Sequence, residues 1–180
     1  IVSIHRSLDF RTGLLQKEML VRDKAGRETL VESARLVSMA NAHLAAIRFC
    51  VTPLNYAGPI SIRSGLDGEI TNSGVERYRA LNSIHLEPVL AGGDGDFSNI
   101  VSRTNQSNIE VAEVARIFIR FGEESISQKV AVERETGAVW SKVRLHAKRN
   151  ERICVDKIVA LYTNKEDDVQ DPFAAAQVTL

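Results

Sequence analysis

The sequence predicts an all-β protein, a large antiparallel β-sandwich with one short helix at its C-terminal end. Three observations carry this expectation. Apolar residues recur at every second position along much of the chain, turn clusters rich in Gly and Asp interrupt those runs, and helix signals gather only after residue 168. Many strands joined by turns bury their apolar faces by packing sheet on sheet.

Taken in order, Ile1-Val2-Ser3-Ile4-His5 already reads as a strand with no cap or polar lead-in, so the chain is expected to start inside a domain. A strand over Leu14–Arg22 runs into the turn cluster Asp23-Lys24-Ala25-Gly26 and returns over residues 27–39. In residues 43–52, Ala45, Ile47, Phe49 and Val51 share one face, and Leu44, Ala46, Arg48 and Cys50 share the other. Both faces are largely apolar, as in a strand covered on both sides. Residues 59–63 form a short strand that ends near the turn dipeptide Asp67-Gly68.

Residues 109–121 fit two periods. Val111, Val114, Ala115 and Phe118 have helical spacing, whereas Ile109, Val111, Ala115, Ile117, Ile119 and Phe121 alternate as a strand; the β-branched isoleucines favour the strand. Glu123-Glu124 reads as a turn on a solvated edge. Beyond it lies a hairpin: Ile126, Val130 and Val132 alternate with polar partners, Thr136-Gly137 turns, and Val139, Val143 and Leu145 alternate back. Trp140, Lys142, Arg144 and His146 lie opposite, on a partly wet face. Residues 152–163 make the last strand. In the tail Asp171 caps a helix, Pro172 takes its first position and Phe173-Ala174-Ala175-Ala176 follow, with the acidic run Glu166-Asp167-Asp168 ahead of the positive helix end.

Composition removes several function classes. The 23 basic and 23 acidic residues balance, with a pI near 7.1, so no basic surface for nucleic acid or anionic membrane is expected. No apolar run approaches the ~20 residues of a membrane span, and no stretch reads as a signal peptide. Cys50 and Cys154 lie in apolar strand-like runs without metal-type spacing, and are expected as buried free thiols in preference to a disulfide, in a reducing, cytoplasmic compartment.

Candidate chemistry is thin. Asp94, Asp96 and Ser98, within Ala91-Gly92-Gly93-Asp94-Gly95-Asp96, have the odd spacing of a calcium loop, but Asn99 and Asn105 stand where Gly and Glu are needed. No Lys-Ser or Lys-Thr follows to make a phosphate cradle, so a flexible surface loop is expected. His5, His43, His85 and His146 show no metal spacing, and no metal site is expected. His85 and Glu87 would share one side of a strand, an acid/base pair for an aldose mutarotase, with a solvated polar face as the plainer alternative. No nucleophile elbow is present, and no catalytic residue is assigned. Arg63, Asp67, Asn72 and Arg77 form a polar loop after a strand, able to reach a sugar or simply to connect. A carbohydrate-binding module would want solvent-facing aromatics, for which Trp140 is the available tryptophan.

Two stretches carry a family resemblance. Arg6-Ser7-Leu8-Asp9-Phe10-Arg11-Thr12-Gly13-Leu14-Leu15 and Ile62-Arg63-Ser64-Gly65-Leu66-Asp67-Gly68 resemble the N-terminal domain of glycoside hydrolase family 65, the maltose, trehalose and kojibiose phosphorylases and related hydrolases. The likeness continues through Glu18, His43-Leu44-Ala45-Ala46-Ile47-Arg48, Pro53 with Tyr56, Asn72, Thr104-x-Gln106-Ser107 and Ala160-Leu161-Tyr162-Thr163. Thr163-Asn164-Lys165-Glu166 departs from the family's usual Thr-Ser-Arg-Asp but keeps its charges. The resemblance implies a supersandwich of the galactose-mutarotase-like type over residues 1–168, lacking strands that family members carry before the opening motif. Residues 169–180 would begin a helical linker to an (α/α)6 barrel. That barrel would hold the general acid and bind disaccharide and phosphate, with no organic cofactor, and the sandwich would contribute dimer contacts and a loop near the cleft.

Overall fold

The computed structural model describes residues 1–71, 83–122 and 124–180. Twelve strands and one helix follow in chain order among them: β1 Ser3–Asp9, β2 Leu14–Arg22, β3 Glu28–Val37, β4 Leu44–Pro53, β5 Gly58–Asp67, β6 Leu86–Asp94, β7 Phe97–Thr104, β8 Glu110–Phe121, β9 Glu124–Ile126, β10 Ala131–Glu135, β11 Ala138–Ala147, β12 Ile153–Thr163 and α1 Pro172–Thr179. A nine-stranded sheet has the order β1-β2-β3-β4-β12-β8-β7-β6, with β9 paired to β8, and a three-stranded sheet has the order β10-β11-β5. The registers resolved along both sheets are antiparallel, and the expected all-β sandwich is the fold observed.

Two compact units divide the chain. The first takes Ile1–Ile62, Ile117–Lys129 and Val143–Ile158; the second takes Arg63–Arg116, Val130–Lys142 and Val159–Leu180.

In the second unit the sandwich core is direct. Leu66 of β5 and Val139 of β11 pack with Ile100 of β7 and Ala115 of β8, flanked by Ala91, Val132 and Val159. Alternation puts these side chains on one shared face of their strands. Val139 and Ser141 are buried while Trp140 and Lys142 are half-exposed, as the hairpin pattern predicts. α1 closes this unit: Asp171 Oδ1 accepts from the backbone N of Phe173 and Ala174 at 2.9 and 3.0 Å, and the Tyr162 and Thr179 hydroxyls meet at 2.8 Å. The ambiguous segment is strand β8, whose Ala112, Val114, Ala115 and Ile117 are all buried.

In the first unit the β1–β2 and β2–β3 hairpins turn at Gly13 and Gly26, both at positive φ. Asp9 accepts from Arg11 N at 2.9 Å in the first turn, and Asp23 accepts from Ala25 N and Arg27 N in the second. These bonds hold both carboxyls below the usual range, the Arg11 amide being the main cause at Asp9 and the Arg27 side chain at Asp23. One apolar row runs Ile4–Met19–Val31–Val51 across β1 to β4. Its burial rises from an exposed Ile4 (47%) to a buried Val51 (7%).

Three expectations need correction. Cys50 of β4 and Cys154 of β12 are not free thiols: they form a disulfide, both side chains buried. A separation of 104 residues conceals that β4 and β12 are sheet neighbours. The glycine-rich run is not a flexible loop either, but the end of β6 and its hairpin turn at Gly95 into β7. A Cβ on Gly93 would stand 2.6 Å from the Phe97 carbonyl oxygen, so glycine is what lets the two strands approach. β7 escapes the alternation pattern because Ser98, Asn99 and Ser102 are buried along with Ile100 and Val101. Finally, Ile126 belongs to β9 and pairs with Ile119 of β8, outside the β10–β11 hairpin. Of the expected Glu123-Glu124 turn, Glu123 lies outside the described residues and Glu124 opens β9.

The disulfide closes a loop of about 100 residues, so reducing it, or replacing Cys154 by Ser, is expected to lower the unfolding free energy by about 2–4 kcal/mol. Denaturant melts with and without a dithiol measure this. Thiol titration of the unfolded, unreduced chain should find no free thiol.

Candidate functional site

The first constellation of polar groups lies on the outer face of the three-stranded sheet. Arg63 and Gly65 of β5, Trp140 and Lys142 of β11, and Glu133 and Glu135 of β10 alternate with the inward residues and so share this face. The Arg63 guanidinium stacks 4.0 Å from the Trp140 ring centroid and pairs with Glu135 and, at 3.5 Å, Glu133. Lys142 Nζ donates to Glu133 at 2.9 Å. The indole lies against the Gly65 backbone so closely that a Cβ there would stand 2.0 Å from its Cε3. Trp140 Nε1 is buried without a hydrogen-bond partner among the described residues. This patch is an ion-paired belt around an aromatic ring already engaged by its own chain.

The sequence-predicted sugar loop is dispersed by the fold. Arg63 is a strand residue of that belt, and Asp67 ends β5 with its Oδ1 accepting from Glu69 N at 2.9 Å. Asn72 and Arg77 lie outside the described residues. Ser64-Gly65-Leu66-Asp67-Gly68 is therefore a packing motif. Gly65 seats the indole and Leu66 enters the core, while Asp67 holds the turn. Gly68 N donates to the Gly137 carbonyl at 2.9 Å, and a Cβ on Gly68 would collide with Ser102 Oγ. His85 and Glu87 are both exposed; the His85 carbonyl accepts from Asn105 N, and Glu87 stands in register with Arg103. In the calcium-like run, Asp96 pairs with Arg116 at 2.8 Å and Ser98 is buried. Among the described residues no group of His, Cys, Asp and Glu is arranged to hold a metal.

A second constellation was not legible as a site in the sequence. The registers align His5, Glu18, Glu32 and Cys50 in one rung across β1 to β4, and Ser7, Gln16, Ala34 and Arg48 in the next rung on the same face. They line an open groove of about 300 Å3 together with Arg152. Arg152 holds Glu32 through two bonds of 2.8 and 3.2 Å. Arg48 holds Asp156 of β12 through two bonds of 2.6 and 2.8 Å, and Arg120 approaches the same carboxylate at 3.6 Å. The Arg48 bonds, and then the charge of Arg120, keep the Asp156 carboxyl below its ordinary value against the opposing effect of its burial. The signal that could have found this face is the polar set at even positions of β2 and β3 facing His5 and Arg48, but only strand pairing brings those residues together.

The fold and its polar motifs define a class: an antiparallel β-sandwich domain in which the described residues of the sequence-predicted sugar loop serve turns and packing. The chain belongs to glycosyl hydrolase family 65, whose N-terminal domain profile matches residues 1–180. It is 32% identical over 173 residues to a kojibiose phosphorylase of Halothermothrix orenii, covering 95% of this chain and 21% of that protein. It is 26% identical to an alpha,alpha-trehalose phosphorylase of Thermoanaerobacter brockii, covering 93% of this chain and 22% of that protein. A solved structure assigned as a kojibiose phosphorylase from the human microbiome superposes with a TM-score of 0.79 at 16% identity, covering 99% of this chain and 22% of that one, which shows the shared fold. The chain thus spans about a fifth of the length of the relatives it matches.

Gly65→Ala is expected to displace the indole and destabilise the fold by about 1–3 kcal/mol. Because Trp140 is the single tryptophan, its fluorescence in a denaturant melt reads both effects. Asp156, with its folded-state pKa depressed, contributes stability above its unfolded value of about 3.9, lost as pH falls through the lower folded value. Asp156→Asn should cost about 1–3 kcal/mol near neutral pH and flatten the acid limb of stability against pH. Urea melts across that range test it, and an unchanged acid limb would refute it.

Proposed function

We propose that this chain is the non-catalytic N-terminal sandwich of an enzyme that cleaves α-glucosidic disaccharides with inorganic phosphate, the reacting groups residing in an (α/α)6 barrel that follows it. The observation that carries this reading is the match of the whole chain to the family's N-terminal domain, at about a fifth of the length of phosphorylase relatives. Residues 1–168 form the sandwich, and residues 169–180, with α1 in them, begin the linker. The reaction needs no organic cofactor: a phosphate oxygen bonds to the anomeric carbon as the glycosidic bond breaks, and the departing sugar oxygen takes a proton. The segment after Arg63 and Asp67, carrying Asn72 and Arg77, serves as the loop near the cleft, and the sandwich contributes to a homodimer. The half-exposed apolar row from Ile4 to Val31 supports such association, since burying it removes apolar area from water.

A free-standing carbohydrate-binding module is the weaker reading, because Arg63 already stacks on the Trp140 ring that a sugar would need. A mutarotase is weaker still, with His85 and Glu87 on an exposed strand start. A cytoplasmic location rested on free thiols, and the Cys50–Cys154 bond removes that support. No helix among the described residues is long and apolar enough to cross a membrane.

The test grafts this chain in place of the N-terminal domain of the H. orenii kojibiose phosphorylase and assays kojibiose, trehalose and maltose with phosphate. The graft should release glucose 1-phosphate, and the isolated chain should release none. Turnover by the isolated chain, abolished by one substitution within it, would overturn the reading.

A further inference from the structure

We propose that the groove on the outer face of β1 to β4 binds a neutral sugar, as a site separate from any catalytic cleft. The geometry begins with Ala34. It stands between Gln16 and Arg48 in its rung, and this small side chain among long ones opens the floor of the 300 Å3 groove. Glu18 and Glu32 stand directly opposite each other on β2 and β3, an arrangement in which like charges repel. Arg152 answers Glu32. Glu18 has no cation paired to it among the described residues, and faces His5 on β1 and the groove. An unanswered carboxylate beside a second one is a local cost of the kind that functional sites carry.

The charge and hydrogen-bonding character of the lining select the ligand class. Lys17 also borders the groove, but it belongs to the alternate rung with Arg6 and Ser33, whose side chains take the opposite face. On the groove's own face Glu18 and Glu32 balance Arg48 and Arg152, which favours a neutral ligand over an anion or a cation. Carboxylates that accept, guanidinium groups that donate and an amide that does both suit a ligand dense in hydroxyls. Among the described residues no aromatic ring of Phe, Tyr or Trp lines the groove, so affinity is set by hydrogen bonds, in the millimolar range. The choice of glucose and glucosyl disaccharides among hydroxyl-rich ligands rests on the proposed action on α-glucosides.

The test is an NMR titration of the 15N-labelled chain with glucose, kojibiose and maltose to about 50 mM, well above a Kd of about 1–10 mM. Saturable amide shifts are expected at residues 16–18 and 32–34. Ala34→Leu, which fills the floor, should abolish them, and Glu18→Gln should weaken binding about 10-fold. Should Ala34→Leu fail to fold, Glu18→Gln decides, since it touches no ion pair. Shifts that stay absent at 50 mM sugar, that titrate in Glu18→Gln with an unchanged Kd, or that appear with inorganic phosphate in place of sugar would each overturn the site. The readout is binding on β2 and β3 rather than turnover. An empty groove would leave the phosphorolysis reading standing, and a graft without activity would leave the groove's shifts unexplained by it.

Discussion

The structure depends most on the inward row in which Leu66 and Val139 meet Ile100 and Ala115. Fully burying such side chains contributes about 1.5–3 kcal/mol each for the larger ones. Their effect on register matters as much as their energy. A strand alternates faces residue by residue, so fixing Leu66 and Val139 inward sets Arg63, Gly65, Trp140 and Lys142 outward. A one-residue slip of β5 or β11 would put a guanidinium or an indole into the core. The ion-paired belt is a consequence of that packing, and it covers the outer side of the same strands.

Glycine makes the close approaches possible at a few places. Gly65 admits the indole face, Gly68 admits Ser102, and Gly93 admits the Phe97 carbonyl. A methyl group at any of these would press on a neighbour at 2.0–2.6 Å. The residues that most resemble family 65 in sequence therefore mark backbone proximity and turn geometry. Thr104 repeats the lesson in the turn before β8, its hydroxyl accepting from Ile109 N at 2.8 Å and meeting Ser107 Oγ at 2.6 Å, with Asn108 at positive φ. Such motifs identify a fold reliably and a reaction only through the fold.

In the first unit, cross-strand chemistry of a different kind ties β4 to β12 and β3 to Arg152, the residue just before β12. The Cys50–Cys154 bond is flanked by Arg48–Asp156 and Arg152–Glu32, both bidentate and partly shielded. Paired charges of this sort specify geometry more than they add stability, because desolvation offsets much of the attraction. They fix where two guanidinium groups stand, and with them the wall of the groove. β1 and β2 extend outward from that anchored region, with their apolar side progressively less covered.

Sequence by itself determined the elements whose physics is local. Period-two alternation marked β2, β3, β4, β8, β11 and β12, turn chemistry placed Gly26, Gly68 and Gly137, and Asp171 with Pro172 announced α1. Even the ambiguous segment of β8 was decided correctly by β-branching. What the tertiary structure alone decided were the partnerships across long separations. The disulfide joins residues 104 apart, and β7 hides polar side chains at buried positions where alternation cannot flag a strand. The rung of His5, Glu18, Glu32 and Cys50 exists only through three successive registers. Periodicity reports which way one strand faces, whereas a site needs to know which strand lies beside it, and that is settled by packing of the whole sheet.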